Sequence, residues 1–297
     1  MKYALVDIGS NTIRLTIYDL NKDDEPVNIM NKKVVAGLAS YMIHGEMTRK
    51  GIDKLVKTLN SFNRILKHFK ADTVYVFATA SLRNVSNREN ILKEVKEKTN
   101  IEIDLISGED EAYLGYLGAM DLFNLEKGVT IDIGGGSTEI AVYDGGKIKS
   151  EKSLDEGSLS LYSKFVKDIL PKKTEAQLIK YHINKKLDKV EKEKNCKNMV
   201  GVGGTIRACR NLISELYPET YIENVVSKKD LKKIKKKILE KNPEIIDLIL
   251  KICPSRVHTL TPGLIALIEI MKKFKVNRIF VSDNGVREGY LKWKLKK

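Results

Sequence analysis

A thirteen-residue repeat constrains the fold of this chain more than any other feature. The segment that begins Asp7-Ile8-Gly9 aligns without gaps with the segment that begins Asp132-Ile133-Gly134, as far as Tyr18-Asp19 and Tyr143-Asp144. Five of the thirteen aligned positions are identical. In both copies an apolar strand ends at a glycine-rich turn, and a strand of alternating apolar and polar residues follows. Two such units, each leading one half of the chain, predict two related domains.

Strands and helices alternate after each copy of the repeat, which favours the α/β class. The strongest helical periodicity covers residues 48–69, where apolar side chains recur every three or four positions. A length of 297 residues suits two domains at about 150 residues each. We therefore expect a first domain over 1–124 and a second over 125–297. We also expect the last helix, 286–295, to pack back on the first domain.

The charge is divided unevenly between these halves. The chain carries 53 Lys and Arg against 39 Asp and Glu, a net charge of +14. Residues 1–124 hold 17 basic and 17 acidic side chains, so the whole excess belongs to the second half, with 36 basic and 22 acidic side chains. A basic half favours a polyanionic partner. Nucleic acid is the weaker candidate, because no known binding motif and few interleaved aromatic residues accompany the charge.

The cysteines and the N-terminus indicate a cytoplasmic protein. Cys196, Cys209 and Cys253 form no C-x-x-C pair and lack histidines at ligand spacing, so neither a disulfide framework nor a zinc site is expected. Asp7 follows the first apolar residues too early for a signal peptide. No segment approaches the roughly 20 apolar residues of a membrane helix.

The two glycine-rich turns have the chemistry of phosphate sites. Backbone N–H groups in such a turn form a concave nest for anionic oxygens. Asp7 and Asp132, which precede the turns, are suited to a divalent cation that bridges phosphate oxygens. Two turns of this kind facing each other would clamp one phosphoryl group. The alternative is a pair of ordinary hairpin turns. The predicted phosphate-binding residues are Gly9, Ser10, Asn11 and Thr12 in the first turn, and Gly134, Gly135, Gly136, Ser137 and Thr138 in the second.

A third glycine-rich turn follows the strand 199–202. Gly203, Gly204 and Thr205 lead into a predicted helix, and such a turn places phosphate at a helix N-terminus. Alone this signal is weak. Arg207 and Arg210 begin the helix and face either an anion or solvent.

Together these segments resemble the exopolyphosphatase/guanosine pentaphosphate phosphatase (Ppx/GppA) family, in a short two-domain form. The resemblance rests on the two repeat turns, on the third turn and on three further segments. Those segments are Ala78-Thr79-Ala80-Ser81-Leu82-Arg83, Ser107-Gly108 with Glu111-Ala112, and Val286-Arg287-Glu288-Gly289. The family's fold consists of two RNase H-like domains of the actin, sugar kinase and heat-shock chaperone superfamily, facing across a cleft.

The resemblance also implies roles for individual residues. Glu111 would be the catalytic base that orients and deprotonates water, although an acid at a helix N-terminus is otherwise an ordinary surface residue. Mg²⁺ or Mn²⁺ would lie near Asp132 and Glu139, with Asp7 contacting it through water. Arg83 would pair with phosphate oxygens, and Arg14 is a second candidate for this role.

The helix predicted from residue 228 onward carries eight lysines up to Lys241. A solvated face is one interpretation. The other is a basic track for a polyphosphate tail, formed by Lys232, Lys233, Lys236 and Lys237, with Arg256 as an addition.

The sequence favours a metal-dependent hydrolase that releases orthophosphate from the end of inorganic polyphosphate. The alternatives are a guanosine pentaphosphate 5′-phosphohydrolase, a kinase or ATPase of the same superfamily, and a regulator that binds polyphosphate or an alarmone without turnover. Retention of Glu111, Asp132 and Glu139 argues against a pure binder. The expected partner is polyphosphate or guanosine pentaphosphate, not a membrane or a specific nucleic acid; a homodimer is left open.

Overall fold

The computed structural model describes residues 1–21, 26–120, 123, 125–190, 196 and 198–296. Contacts group the chain into two compact units, Met1–Ser107 and Gly108–Lys297. The boundary thus falls before the helix Gly108–Ala119 (α4), whereas the repeat predicts it after residue 124. Helix α4 belongs to the second unit because it packs against that unit's sheet and against its last helix, Val286–Leu295 (α11). Glu111 therefore lies in the second unit.

The first unit is built on a five-stranded sheet with the order β3-β2-β1-β6-β7. The strands are Lys2–Ile8 (β1), Thr12–Leu20 (β2), Pro26–Val35 (β3), Thr73–Ala78 (β6) and Asp104–Leu105 (β7). β1, β2 and β3 are antiparallel neighbours, and β6 and β7 continue the sheet in parallel with β1. A small hairpin of Met42–Ile43 (β4) and Glu46–Met47 (β5) and the helices Arg49–Phe69 (α1), Ala80–Arg83 (α2) and Arg88–Thr99 (α3) complete the unit.

Helix α1 supplies much of the first unit's core, as its periodicity predicts. Its buried face includes Leu55, Leu59, Phe62 and Leu66, which join the core formed by the sheet. Each such side chain contributes about 1.5–3 kcal/mol when it leaves water. The helix ends at Lys70, whose φ of 51° is left-handed.

The second unit repeats the same topology in a six-stranded sheet with the order β10-β9-β8-β11-β13-β12. The strands are Lys127–Ile133 (β8), Thr138–Asp144 (β9), Lys147–Leu154 (β10), Met199–Val202 (β11), Val225–Ser227 (β12) and Arg278–Val281 (β13). β8, β9 and β10 are antiparallel, β11 and β13 run parallel to β8, and β12 adds an antiparallel edge.

The sequence repeat is a structural repeat. Asp7 lies opposite Arg14 in the register of β1 and β2, and Asp132 lies opposite Glu139 at the equivalent place in β8 and β9. The turns close alike, because Gly9 N donates to Thr12 O at 3.0 Å and Gly134 N donates to Ser137 O at 3.0 Å. Two related α/β units, each with its own sheet, are thus confirmed.

Helices cover the second sheet. Besides α4 and α11 they are Ser158–Phe165 (α5), Lys173–Leu187 (α6), Gly204–Leu216 (α7), Lys228–Leu239 (α8), Pro243–Ile252 (α9) and Leu260–Lys273 (α10). α10 is buried along its length from Leu260 to Met271 and packs against α5, α6, α7 and α8, which makes it the centre of this core. Among the described residues, no helix is both long enough and apolar enough to cross a membrane.

Several element ends differ from those that periodicity predicts. Strand β12 has no counterpart in the sequence prediction, because three residues at a sheet edge are too short to show alternation. The apolar run 101–106 predicts a longer strand, yet only Asp104 and Leu105 pair with β6. The helix predicted over 109–123 ends at Ala119, and positions 121, 122 and 124 lie outside the described residues.

Candidate functional site

The first glycine turn is fixed by the loop that follows β3. The carbonyl of Asn11 accepts hydrogen bonds from Ala36 N at 3.0 Å and Gly37 N at 2.9 Å, and that of Ser10 accepts one from Ala39 N at 3.0 Å. Because these carbonyls accept hydrogen bonds from the following loop, the turn has the rigid backbone that a nest of N–H donors requires.

Charged residues of the first unit gather beside this turn. Arg14 is the cross-strand neighbour of Asp7. Short helix α2 is attached to the same place, because Ser81 Oγ donates to the carbonyl of Ile8. Arg83 ends α2 and donates from Nη1 to Ile106 O at 3.1 Å. The structure thus brings the predicted phosphate residues of the first unit, namely Gly9 to Thr12, Arg14 and Arg83, to one end of its sheet together with Asp7.

The second glycine turn rests on the loop between β10 and α5. Ser158 N donates to Gly134 O at 2.9 Å, while Leu159 N and Ser160 N donate to Gly135 O at 2.9 and 3.0 Å. Thr138 Oγ1 donates to Glu156 O at 2.6 Å. The hydroxyl proton of Thr138 is therefore used to hold the turn, although the sequence places Thr138 among the phosphate donors.

The buried side chain of Glu156 holds that loop in place. It is 1% exposed. One oxygen binds Lys164 Nζ and lies 2.8 Å from His182 Nε2, and the other accepts from Ser160 Oγ at 3.0 Å. Burial acts to raise the pKa of Glu156, but the hydrogen bonds of Lys164 and His182 outweigh it and hold the pKa below its ordinary value.

Three carboxylates of the second unit line one small cavity. Glu111 reaches it from α4, Asp132 from β8 and Glu139 from β9, together with Thr130 and Val202. The cavity measures about 10 Å³, close to the minimum for one water molecule. Glu139 Oε1 accepts a hydrogen bond from Ser153 Oγ at 2.8 Å, whereas its buried Oε2 has no hydrogen-bond partner among the described residues.

Burial and mutual repulsion raise the pKa of two of these carboxyl groups. The pKa of Glu139 lies well above its ordinary value because the side chain is buried and because Glu111 and Asp132 are close. The pKa of Asp132 is also raised by burial, against the opposing charges of Arg207, Arg256 and Arg287. A group that brings positive charge to these oxygens would therefore favour their ionised forms.

The third glycine turn brings an arginine group to Asp132. Gly203 has a left-handed φ of 93°, and a Cβ there would collide with Asp132 Oδ1. A Cβ on Gly204 would collide with the guanidinium of Arg256. The two glycines thus allow carboxylate and guanidinium to approach the backbone closely. Thr205, by contrast, is fully buried.

Helices α7 and α11 supply the other two arginines. Arg207 follows the third turn and donates from Nη1 to Asp283 O at 3.2 Å. Arg287 stands in the first turn of α11 and is 9% exposed. Burial lowers the pKa of Arg207 and of Arg256, and the negative charge of Asp132 opposes this shift at both residues. Both guanidinium groups stay charged, because arginine does not lose its proton in proteins. Three positive charges around one carboxylate suit the oxygens of a phosphate.

The donor set fits a hard divalent cation such as Mg²⁺. Carboxylate oxygens are its preferred protein ligands, and the buried Oε2 of Glu139 lacks a partner among the described residues. In the same part of the chain, no three His, Cys, Asp or Glu side chains have the arrangement of a complete metal site. Mg²⁺ is usually held by one or two carboxylates together with substrate phosphates and water.

Not all predicted residues lie together. The second unit gathers Glu111, Asp132, Glu139, the second turn, the third turn and Arg256. Lys232, Lys233, Lys236 and Lys237 lie elsewhere on α8, so the structure separates them from Arg256. Sequence reasoning left the roles of Arg207, Arg287 and Glu156 open or unmentioned. Arg207 and Arg287 stand inside recognised segments, which is the signal that points to them; nothing in the sequence distinguishes Glu156.

Comparisons with known proteins show what this chain is similar to. Exopolyphosphatase 1 of Mycobacterium bovis is 31% identical over 144 residues, which are 48% of this chain and 42% of that protein. The chain spans about half the length of the curated relatives that it matches.

Solved structures match over nearly the whole chain. The Aquifex aeolicus member of the Ppx/GppA family is 27% identical with a TM-score of 0.81, covering 100% of this chain and 98% of that one. An exopolyphosphatase from Cytophaga hutchinsonii has a TM-score of 0.89 at 22% identity, with the same coverage, which shows a shared fold. The sequence model of the Ppx/GppA phosphatase family matches residues 24–297. The chain therefore belongs to the Ppx/GppA phosphatase family.

Proposed function

We propose that this protein hydrolyses the terminal phosphoanhydride of inorganic polyphosphate in a metal-dependent reaction that releases orthophosphate. The observation that carries the proposal is the cavity at which Glu111, Asp132 and Glu139 meet, beside an arginine group. The names of the mycobacterial relative and the Cytophaga structure, both exopolyphosphatases, support the choice of substrate.

The arrangement suits phosphoryl transfer. The transition state of this reaction spreads negative charge over the equatorial oxygens, so catalysis depends on positioning and on charge neutralisation. Arg207, Arg256 and Arg287 provide positive charge around Asp132. The N–H groups of Gly135 and Gly136 provide the uncharged donors of a phosphate nest. The first turn presents the same chemistry in its own unit, and its role as a phosphate site stays a prediction.

Asp132 and Glu139 are the residues that would hold Mg²⁺ or Mn²⁺. When bound, such an ion neutralises phosphate charge as a Lewis acid. Its positive charge would also favour the ionised forms of both side chains, which burial disfavours.

Glu111 is the proposed general base. It is 7% exposed and lines the cavity with the other two carboxylates. In this role its carboxylate orients a water molecule and accepts the proton as the water attacks the terminal phosphorus.

Phosphate release from a panel of substrates tests this function. Polyphosphate of defined length, guanosine pentaphosphate and ATP are each incubated with Mg²⁺, with Mn²⁺ and with a chelator. We expect release from polyphosphate that requires the ion. Preferential release from guanosine pentaphosphate would assign the protein to the alternative substrate, and no release from any substrate would contradict the hydrolase proposal.

A further inference from the structure

A strongly basic groove lies on the second unit, away from the carboxylate cavity. It has a volume of about 830 Å³ between α8, the end of α7 and the beginning of β13. Its cationic lining consists of Lys228, Lys229, Lys232, Lys233, Lys236 and Arg278. Asp230 is the single acidic side chain of the lining. Its carboxylate accepts hydrogen bonds from Lys233 Nζ at 3.1 Å and from Ser227 Oγ at 2.6 Å.

The groove and the glycine turns occupy opposite ends of the second sheet. Ser227 pairs with Arg278 at the start of β13, and Lys228 N donates to Asn277 O at 2.8 Å. Gly203 instead follows the end of β11, where Ser282 N donates to Gly201 O at 2.9 Å. Because β8, β11 and β13 run parallel, their starting ends lie together, far from Asp132. The groove is therefore separate from the proposed catalytic cluster of the same unit.

The lysines of the groove form rows along α8. Lys228, Lys232 and Lys236 are spaced at four-residue intervals, as are Lys229 and Lys233, which sets successive charges about 6 Å apart along the helix. Leu231, Ile234 and Ile238 are buried and fix the helix beneath them. A row of positive charges on a rigid element matches a linear polyanion better than a compact one.

The rest of the lining favours a polyanion that carries no nucleobases. The apolar part includes Ile213 and Ile222, and Tyr221 is the one aromatic side chain of the lining. The Tyr221 hydroxyl already accepts a hydrogen bond from Asn224 N at 3.1 Å. Single-stranded nucleic acid is usually bound by several aromatic platforms, one for each stacked base. Lysine supplies point charges for phosphate and no fork for base edges.

We infer that this groove is a second polyphosphate-binding site, which holds an extended part of the chain at a distance from the hydrolysed end. The choice of polyphosphate rests on the proposed function, and the electrostatic argument for a linear polyanion does not. Lys237 has no part in this site, because it lies outside the lining. It pairs with Glu244 at 3.2 Å, and the groove residue Lys236 has a longer contact of 3.9 Å with Glu240.

Two double variants with the same change of charge test the inference. Lys232→Gln/Lys236→Gln removes two lysines from the groove. The control with the same change of charge, Lys237→Gln/Lys241→Gln, removes one lysine from α8 and one from the turn just after it, both outside the groove. The binding of long polyphosphate is measured at several salt concentrations with a chelator present, and the hydrolysis of tripolyphosphate is measured with Mg²⁺.

We expect the groove variant to bind long polyphosphate about tenfold more weakly. The slope of the logarithm of the binding constant against the logarithm of the salt concentration should be smaller in magnitude by roughly 0.7 for each lost contact. The control variant should bind like the wild type, Lys232→Arg/Lys236→Arg should retain binding, and tripolyphosphate hydrolysis should not differ among the variants. Equal binding by the two glutamine variants would overturn the inference. Tighter binding of a single-stranded RNA with the same number of phosphates, through the same lysines, would also overturn it.

The results separate this inference from the proposed function. Groove-dependent binding by a protein that releases no phosphate contradicts only the function. If the protein hydrolyses polyphosphate but the groove substitutions leave polyphosphate binding unchanged, only the inference is contradicted.

Discussion

Asp132 and Glu139 lie side by side on adjacent strands, and this pairing has an energetic cost. Glu139 is buried and Asp132 is partly buried. Both have raised pKa values, and the charges of Glu111 and Asp132 contribute to the shift of Glu139. Buried like charges destabilise a folded protein unless protons or cations neutralise them. The account thus predicts a protein that is more stable with its cation than without it.

Glu139→Gln should stabilise the cation-free protein at neutral pH. The folded state holds the Glu139 proton to a higher pH than the unfolded state, whose pKa is near 4.5, so stability falls as pH rises above that value. Glutamine removes this loss, and we expect a measurable gain in the free energy of unfolding at pH 8 and little gain at pH 4.5. Urea unfolding with a chelator at both pH values measures it.

Glu219→Gln, at an exposed position of the same unit, is the control and should change stability little at either pH. A Glu139→Gln protein that is less stable than the wild type at pH 8 would show that the carboxylate is not penalised by its surroundings. The same variant should also lose most of the thermal stabilisation that Mg²⁺ gives to the wild type.

Sequence reasoning reached the carboxylates but not their complete surroundings. The repeat leads directly to Asp132, whereas Glu139 follows only from the family resemblance, and its place opposite Asp132 is seen only in the structure. Arg207, Arg256 and Arg287 come from three separate helical segments, and only the tertiary fold brings them to Asp132. Glu156 escapes prediction for a similar reason, since its partners Lys164 and His182 belong to different helices.

At the scale of elements, the loop between β10 and α5 sets the position of the second turn. Glu156 joins this loop to α5 and α6, and Thr138 joins the loop to β9. A change here alters the turn without touching the carboxylates.

Glu156→Gln should raise KM for polyphosphate and the inhibition constant for orthophosphate several-fold, with a smaller effect on kcat. The amide keeps the shape but loses the charge that Lys164 and His182 bind, which costs about 1–3 kcal/mol of stability. Adding Lys164→Gln should recover part of the stability lost. A fall in stability with unchanged KM and phosphate inhibition would reduce Glu156 to a structural residue.

Helices α4 and α11 pack so closely that their backbones touch. A Cβ on Gly118 would collide with the carbonyl of Gly285, and one on Gly289 with the carbonyl of Leu114. This contact positions Glu111 on α4 relative to Arg287 on α11. The sequence predicts that the last helix packs back on the first domain. It packs on α4, which lies within residues 1–124 but belongs to the same compact unit as the last helix.

Gly118→Ala should therefore separate the two helices, lower the stability by about 1–3 kcal/mol and reduce kcat. Gly115→Ala on the same helix is the matched control, since its Cβ would meet Val286 at an ordinary 3.7 Å. The control should be neutral or stabilising by up to about 1 kcal/mol. Equal stabilities of the two variants in denaturant unfolding would contradict the close contact.

At the scale of the whole molecule, the net charge of +14 and the proposed chemistry have separate locations. The lysine rows of α8 lie at the far end of the second sheet, whereas the proposed chemistry lies among carboxylates and three arginines. The repeat predicted the architecture of both units. It did not predict their boundary, because the affiliation of α4 depends on packing against β8, β9 and α11 rather than on chain order.

Glu111 is proposed to activate water in the carboxylate cavity of the second unit. The most direct test is the rate of phosphate release from polyphosphate with saturating Mg²⁺ by wild type, Glu111→Gln and Glu109→Gln, with polyphosphate binding measured in parallel. Glu109 is an exposed neighbour on the same helix turn. The account predicts a loss of about 10²- to 10⁴-fold in kcat for Glu111→Gln, with binding retained and Glu109→Gln active. Turnover by Glu111→Gln at the wild-type rate would contradict it.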